Sequence, residues 1–203
     1  MMPSKDYLKK LLDDTLEIAK NFDFSDVDVT DAKISYLATK KYNWLGLHEG
    51  IASLAEIKAK RTKYSDKIRS SCGYYNKFYY VSDKLIKVES YVDGHDRLSI
   101  WYRTYYTNNK RYLYPGGTAG QNGFDHIFVT EYKEGKVYEE YMVGKRQIVF
   151  WRYDYTTEGK IATYNINYVP TGNHPILSES MGFYDESTLE YEETSNYKWY
   201  QEL

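Results

Sequence analysis

The chain has one cysteine, no strong excess of either charge and no long apolar run, and each shortage removes a class of protein. Cys72 has no second cysteine to pair with, so no intramolecular disulfide can form and no cysteine-based metal site can be built. Its thiol reads as a small apolar filler where the sheet begins. A formal net charge of -2 and a pI near 6.1 remove the electrostatic reason to expect nucleic acid, because phosphate binding needs clustered, uncompensated Lys and Arg. No apolar stretch approaches the roughly 18 residues that a membrane span requires. The N-terminus is amphipathic rather than basic and then apolar, and Met1-Met2 leaves open whether an export segment once preceded it. The compartment therefore stays open: cytoplasmic, or exported and surface-associated.

Signatures of catalysis are equally scarce. His48, His95, His126 and His174 lie far apart, and none falls in a metal-ligand spacing. Asp93, His95 and Asp96 cluster, as do Asp125 and His126, but at predicted turns where Asp and Gly are expected anyway. Glu139 and Glu140 are consecutive on a predicted strand, so they point to opposite faces and cannot act together as an acid/base pair. There is no GxSxG elbow, no P-loop and no Rossmann glycine pattern. The expectation is a protein that is not an enzyme, with no metal, no cofactor and no catalytic residue.

What the chain has is tyrosine and a repeating phrase. Its 25 tyrosines outnumber 7 phenylalanines and 4 tryptophans, and tyrosine favours strands and half-buried positions, which predicts a large, wet sheet face. An aromatic residue, a turn, a basic residue and an aliphatic recur as Tyr80 to Lys84-Leu85, Tyr91 to Arg97-Leu98, Tyr132 to Lys136-Val137, Tyr141 to Lys145-Arg146 and Tyr155 to Lys160-Ile161. The basic residues 84 and 97 are 13 apart, and 136, 146 and 160 follow one another at steps of 10 and 14, each about one strand plus one turn. Before this run, Leu8, Leu11, Leu12, Leu16, Ala19 and Phe22 recur at helical spacing over 4–22, with Ser4 as N-cap. Helical segments are also predicted in parts of 31–42 and over 47–61. From residue 73 the period is two: strands are predicted at 74–81, 85–92, 97–107, 111–114, 126–133, 136–143, 146–156 and 160–169, with a further one at 187–200. Pro115 to Gly123 is one long loop. The fold class is α+β: a single domain, 1–203, in which a helical lead (1–70) packs on one face of a long antiparallel β-meander (73–203).

Alternation assigns the faces. Leu98, Ile100 and Tyr102, with Ile148 and Phe150, make an aliphatic set for the core. The alternate set holds Trp101, Arg103, Tyr105, Trp151 and Tyr153, a composition found at the energetic centre of interfaces. These five are the candidate partner-binding residues, although cross-strand Tyr and Arg pairs also stabilise a merely solvated face. Charge is uneven as well: 56–70 is basic and 185–202 acidic, so the two segments either neutralise each other or meet a polar partner.

The phrases Glu131-Tyr132-Lys133-Glu134-Gly135-Lys136-Val137 and Tyr155-Thr156-Thr157-Glu158-Gly159-Lys160-Ile161 resemble the degenerate strand repeats of YD-type meander proteins from bacterial polymorphic toxin loci. Strict Tyr-Asp dipeptides occur at Tyr153-Asp154 and Tyr184-Asp185. The layout, a short helical lead and then one meander, is similar to small immunity proteins of Gram-positive, LXG-type toxin systems. That resemblance implies a stoichiometric inhibitor whose partner is a cognate secreted protein toxin, neutralised by occlusion. The alternative is a cell-wall glycan-binding module, with Trp101, Trp151 and Trp199 as platforms for sugar rings. If Cys72 is a filler, Cys72→Ala leaves activity intact and costs at most about 2 kcal/mol in chemical denaturation, whereas loss of activity without loss of stability makes the thiol functional.

Overall fold

The computed structural model describes residues 3–39, 46–68, 73–92, 97–117, 126–169 and 176–201. The described helices are α1 (Lys5–Ala19) and α2 (Ile51–Ala59). Twelve strands form one antiparallel sheet: β1 (Lys33–Thr39), β2 (Tyr64–Ser65), β3 (Tyr74–Val81), β4 (Lys84–Val92), β5 (Arg97–Tyr106), β6 (Lys110–Pro115), β7 (Ile127–Lys133), β8 (Lys136–Val143), β9 (Ile148–Tyr155), β10 (Lys160–Val169), β11 (Ile176–Asp185) and β12 (Tyr191–Gln201). From β3 to β12 each strand pairs with the next, and β1 and then β2 extend the sheet beyond β3. The protein is thus mostly β. Its tight turns have the chemistry that hairpins require: Ser82 and Asp83, and likewise Glu134 and Gly135, are consecutive left-handed residues, which matches the twist of the flanking strands.

Sequence and structure diverge at two segments, 31–42 and 176–185. The stretch 31–42, expected to be partly helical, contains β1, which the ladder to β3 holds extended, with Ser35 opposite Phe78 and Leu37 opposite Asn76. Residues 176–185, left unassigned, form β11. Their pattern is broken by Gly182, and the ring of Tyr191 fills the space a side chain would occupy, so that a Cβ there would lie 2.1 Å from it. The strand expected at 187–200 is β12. Cys72, the turn 93–96 with His95, residues 118–125 of the long loop and His174 lie outside the described residues.

The middle of the sheet is buried on both sides, so the expectation of one helix-bearing face does not match the contacts. Tyr112 and Tyr114 of β6, with Ile127 and Val129 of β7, share a core with Leu8, Leu11, Leu12 and Ala19 of α1. Leu113 and Phe128, from the same strands but pointing the other way, share a second core with Leu47 and with Ile57 of α2. α1 and α2 therefore contact opposite faces.

The second face is also concave. β1 and β11 are nine strand spacings apart, about 43 Å in a flat sheet. Yet Lys58 donates to the carbonyl of Thr188, just past β11, while Thr62 donates to that of Ala38 in β1 at 2.7 Å. Residues 58 and 62 are only about 6 Å apart along a helix, so the sheet must curl around the segment 46–62. The same contact brings Lys58 of the basic stretch to Thr188 at the start of the acidic one. Ile127 and Phe128 are adjacent and both fully buried. Ile127→Ala and Phe128→Ala should each cost about 2–5 kcal/mol in urea denaturation, because each opens a cavity in its own core; a sheet covered on one face would make one of the pair cheap.

Candidate functional site

On the α1 side the chain leaves the helix and crosses the sheet as an acidic segment containing Asp23, Asp26, Asp28 and Asp31. Asp23 pairs with Arg103 at 2.7 Å, and the same guanidinium donates to the Ser25 carbonyl and hydroxyl at 3.1 and 2.9 Å. The Lys87 ammonium lies 2.8 Å from Asp26 and 2.9 Å from Glu89, and Tyr79 and Tyr91 donate their hydroxyls to Glu89. Burial alone would lower the Lys87 pKa, but the bonds to Asp26 and Glu89 outweigh it and leave it raised. The ammonium also sits 5.0 Å over the Trp101 ring, whose other neighbour is the backbone of Gly116: a Cβ there would lie 2.1 Å from the indole. Tyr105, 45% exposed, meets Phe22 with ring centroids 5.8 Å apart.

Trp151 and Tyr153 lie on the opposite, concave face, so the five candidate residues are not brought together. Trp151 packs edge-on against His48 at 4.9 Å, and Tyr153, 1% exposed, donates its hydroxyl to Glu140 at 3.1 Å. The reason is register. Alternation fixes sides within one strand, but Tyr102 pairs with Pro115, Leu113 with Phe128 and Glu140 with Trp151. Each of these pairings joins an even-numbered residue to an odd one, whereas β7 and β8 pair even with even. Three exchanges leave odd positions of β5 and of β9 on opposite faces. Glu139 and Glu140 also separate, Glu139 to Arg152 and Tyr7 on the α1 side.

The concave face holds a buried polar network that sequence reasoning did not assemble. Arg111, 1% exposed, is ion-paired with Glu49 and donates to the Leu47 carbonyl at 2.7 Å and to Thr130 at 3.1 Å. Glu140, also 1% exposed, accepts from the Glu49 backbone N–H at 2.6 Å and from Thr130 at 3.2 Å, directly before the first turn of α2. A Cβ on Gly50 would lie 2.3 Å from the Glu140 carboxylate, so only glycine allows this approach. Burial pushes the Glu140 carboxyl up to about 7, against the opposing pull of the Glu49 N–H and Arg111. Burial likewise pulls the His48 imidazole down to about 3, with Arg111 acting in the same direction, and His48 Nδ1 is 3.7 Å from Glu140. The arrangement binds a loop and a helix start tightly. Among the described residues no group of three or more His, Cys, Asp or Glu is placed to hold a metal ion, and no described helix is long and apolar enough to cross a membrane.

Comparison of the chain with protein-family models, with curated proteins and with solved structures found no match. The available signals for the network were an arginine inside the short strand at 111–114 and the Glu139-Glu140 pair, and neither names its partner on a loop more than sixty residues earlier.

The network predicts a pH signature with two opposed limbs. Glu140, raised in the fold, favours the native state at low pH, and that contribution is lost as pH rises from about 4.5 to about 7. His48, lowered in the fold, favours it at high pH, and that contribution is lost as pH falls from 6.5 toward about 3. The limbs cancel between pH 4.5 and 6.5, where stability should be flat. Glu140→Gln keeps an acceptor for the Glu49 N–H but removes one limb. Its stability should fall by about 1.4 kcal/mol per pH unit below 6.5, and a flat profile in denaturant titrations would refute the pairing.

Proposed function

We propose that the protein is a non-catalytic binding protein and, following its resemblance to Gram-positive immunity proteins, that it neutralises a cognate secreted toxin by occlusion. What supports this is the clustering of Trp101, Arg103 and Tyr105 on the α1 side, partly exposed, on a sheet whose centre is buried on both faces. Aromatic and Arg side chains fixed on rigid strands are the usual anchors of tight interfaces. In this reading α1 and α2 cover the two faces and stiffen the frame, while Trp151 and Tyr153 belong to the frame. The concave-face titratable groups are committed to holding residues 46–50.

A glycan-binding module is the second reading, favoured by a cleft of about 260 Å³ lined by Lys33, Ser35, Tyr64, Tyr80 and Asp83. Two phenol rings beside one cation and one carboxylate suit a single sugar ring better than a polymer laid across tryptophans.

The test is co-purification with the product of the adjacent gene in cells that produce it. Arg103→Ala and Tyr105→Ala should keep the wild-type melting temperature, each weaken toxin binding by about 2 kcal/mol or more (roughly 30-fold), and lose protection of the cells. Trp151→Ala should instead lower the melting temperature. Full protection by both α1-side variants overturns the assignment, and saturable binding of wall saccharides with no toxin capture favours the cleft.

A further inference from the structure

We propose that the patch made by Lys87, Trp101 and Arg103 is a docking site for an acidic, extended segment of the partner, and that the protein's own residues 23–28 hold that place until the partner arrives. The inference deepens the binding function proposed above and rests on it for the partner's identity, but not for the chemistry of the site.

Three observations carry it. The cations are fixed by the sheet: the Lys87 side chain is 6% exposed and sandwiched by the Trp101 and Tyr79 rings at 5.0 and 5.8 Å, and that of Arg103 is 25% exposed. The carboxylates that cap them are not fixed in the same way, since the side chains of Asp26 and Asp23 are 72% and 60% exposed. Each pair is therefore half-exposed, with the carboxylate in contact with water while the cation stays on the sheet. Finally, every charged residue of the capping segment is acidic: residues 21–32 contain four Asp and no Lys or Arg.

The patch cannot simply be vacated. With Asp26 gone, Lys87 keeps Glu89, but that carboxylate is already shared with the Tyr79 and Tyr91 hydroxyls. A nearly buried ammonium with part of its partner set removed is costly, so whatever displaces Asp26 must bring a carboxylate of its own. An extended acidic strand does so at the spacing the loop itself uses, Asp23 to Asp26. The backbone of 22–24 need not move, because Phe22 stacks on Tyr114 at 3.9 Å and Phe24 meets the same ring edge-on at 5.8 Å, so Asp23 yields Arg103 by swinging its exposed carboxylate into water. Residues 25–31 are tied to the sheet through Ser25 and Asp26, and their remaining carboxylate bonds are local, such as Asp28 to Thr30.

The probe is a synthetic peptide copying residues 22–31, titrated against the full chain carrying Asp23→Asn and Asp26→Asn, with tryptophan fluorescence as the readout. The double variant should bind the peptide about tenfold or more tightly than the wild type, whose site is filled in cis, and the affinity should fall as salt rises from about 50 to about 500 mM. A peptide with Asn for each Asp should not bind. Equal affinity for the two peptides, or no binding to a double variant that melts like the wild type, overturns the proposal. Should the variant not fold, hydrogen exchange on the wild type decides: amides of 25–31 should exchange faster at the higher salt while those of 127–131 stay unchanged, and no difference overturns it. No toxin is needed, so peptide binding without protection of cells would sink the toxin assignment and leave the site standing.

Discussion

A guanidinium buried to 1% exposure has to find acceptors, and the course of residues 46–59 follows from where Arg111 finds them. Its partners are the Leu47 carbonyl and the Glu49 carboxylate, both on the chain that enters the hollow of the sheet. Glu140, one strand spacing beyond Thr130, then takes the Glu49 N–H and so sets the start of α2. α2 has nine residues, too few for a helix to persist in water by itself, and its first residues carry no side-chain cap. Its start is fixed because the buried Glu140 carboxyl takes the N–H groups of Glu49 and Gly50 just before it, with the helix dipole in the favourable sense. Deleting one member of such a network leaves a buried charge without its counterpart, which commonly costs about 3–5 kcal/mol. The concave face is therefore organised around charge, and its apolar residues fill in around it.

That arrangement changes what the many tyrosines mean. Their number pointed to a wet sheet face, yet Tyr102, Tyr112, Tyr114, Tyr141 and Tyr153 are all buried. In the cases with a clear partner the ring fills the core while the hydroxyl reaches past it: Tyr114 donates to the Asp23 carbonyl and Tyr153 to Glu140. A curled sheet with a chain segment on each face needs side chains long enough to bridge from strand to cover and polar enough at the tip to satisfy it, and tyrosine is both. The exposed ones are concentrated near strand ends, at Tyr105, Tyr106, Tyr155 and Tyr191.

The meander was legible from residue 73 because its signals are local: period-two alternation, and turn residues such as Glu134-Gly135 that adopt left-handed backbone. α1 was legible for the same reason, from Ser4 to Ala19. Facing was not. Whether Trp101 and Trp151 share a side depends on every strand pairing between them, and each odd offset reverses the answer. Sequence alternation within β5 and within β9 is correct and still says nothing about the relation between the two. β1 and the loop 46–50 were illegible for a different reason. Their structure is imposed by tertiary partners, Phe78 and Asn76 across the ladder in one case and Arg111 in the other.

The two polar clusters differ in a way that bears on where a partner can act. On the concave side Arg111 and Glu140 are buried and Glu49 alone of the three reaches water, so exchanging a buried charge for a partner's group would require desolvating the newcomer through a filled hollow. On the α1 side the cations are held by strands, but their counter-charges, Asp23 and Asp26, are mostly in water. Exchange there swaps one solvated carboxylate for another and leaves Phe22 stacked on Tyr114 and Phe24 edge-on to it. The cost of binding is then mainly that of moving a short loop, and the gain comes from the ordered aromatic and cationic groups beneath it. Physical economy thus favours the α1 side for any reversible contact and leaves the concave side to hold the fold.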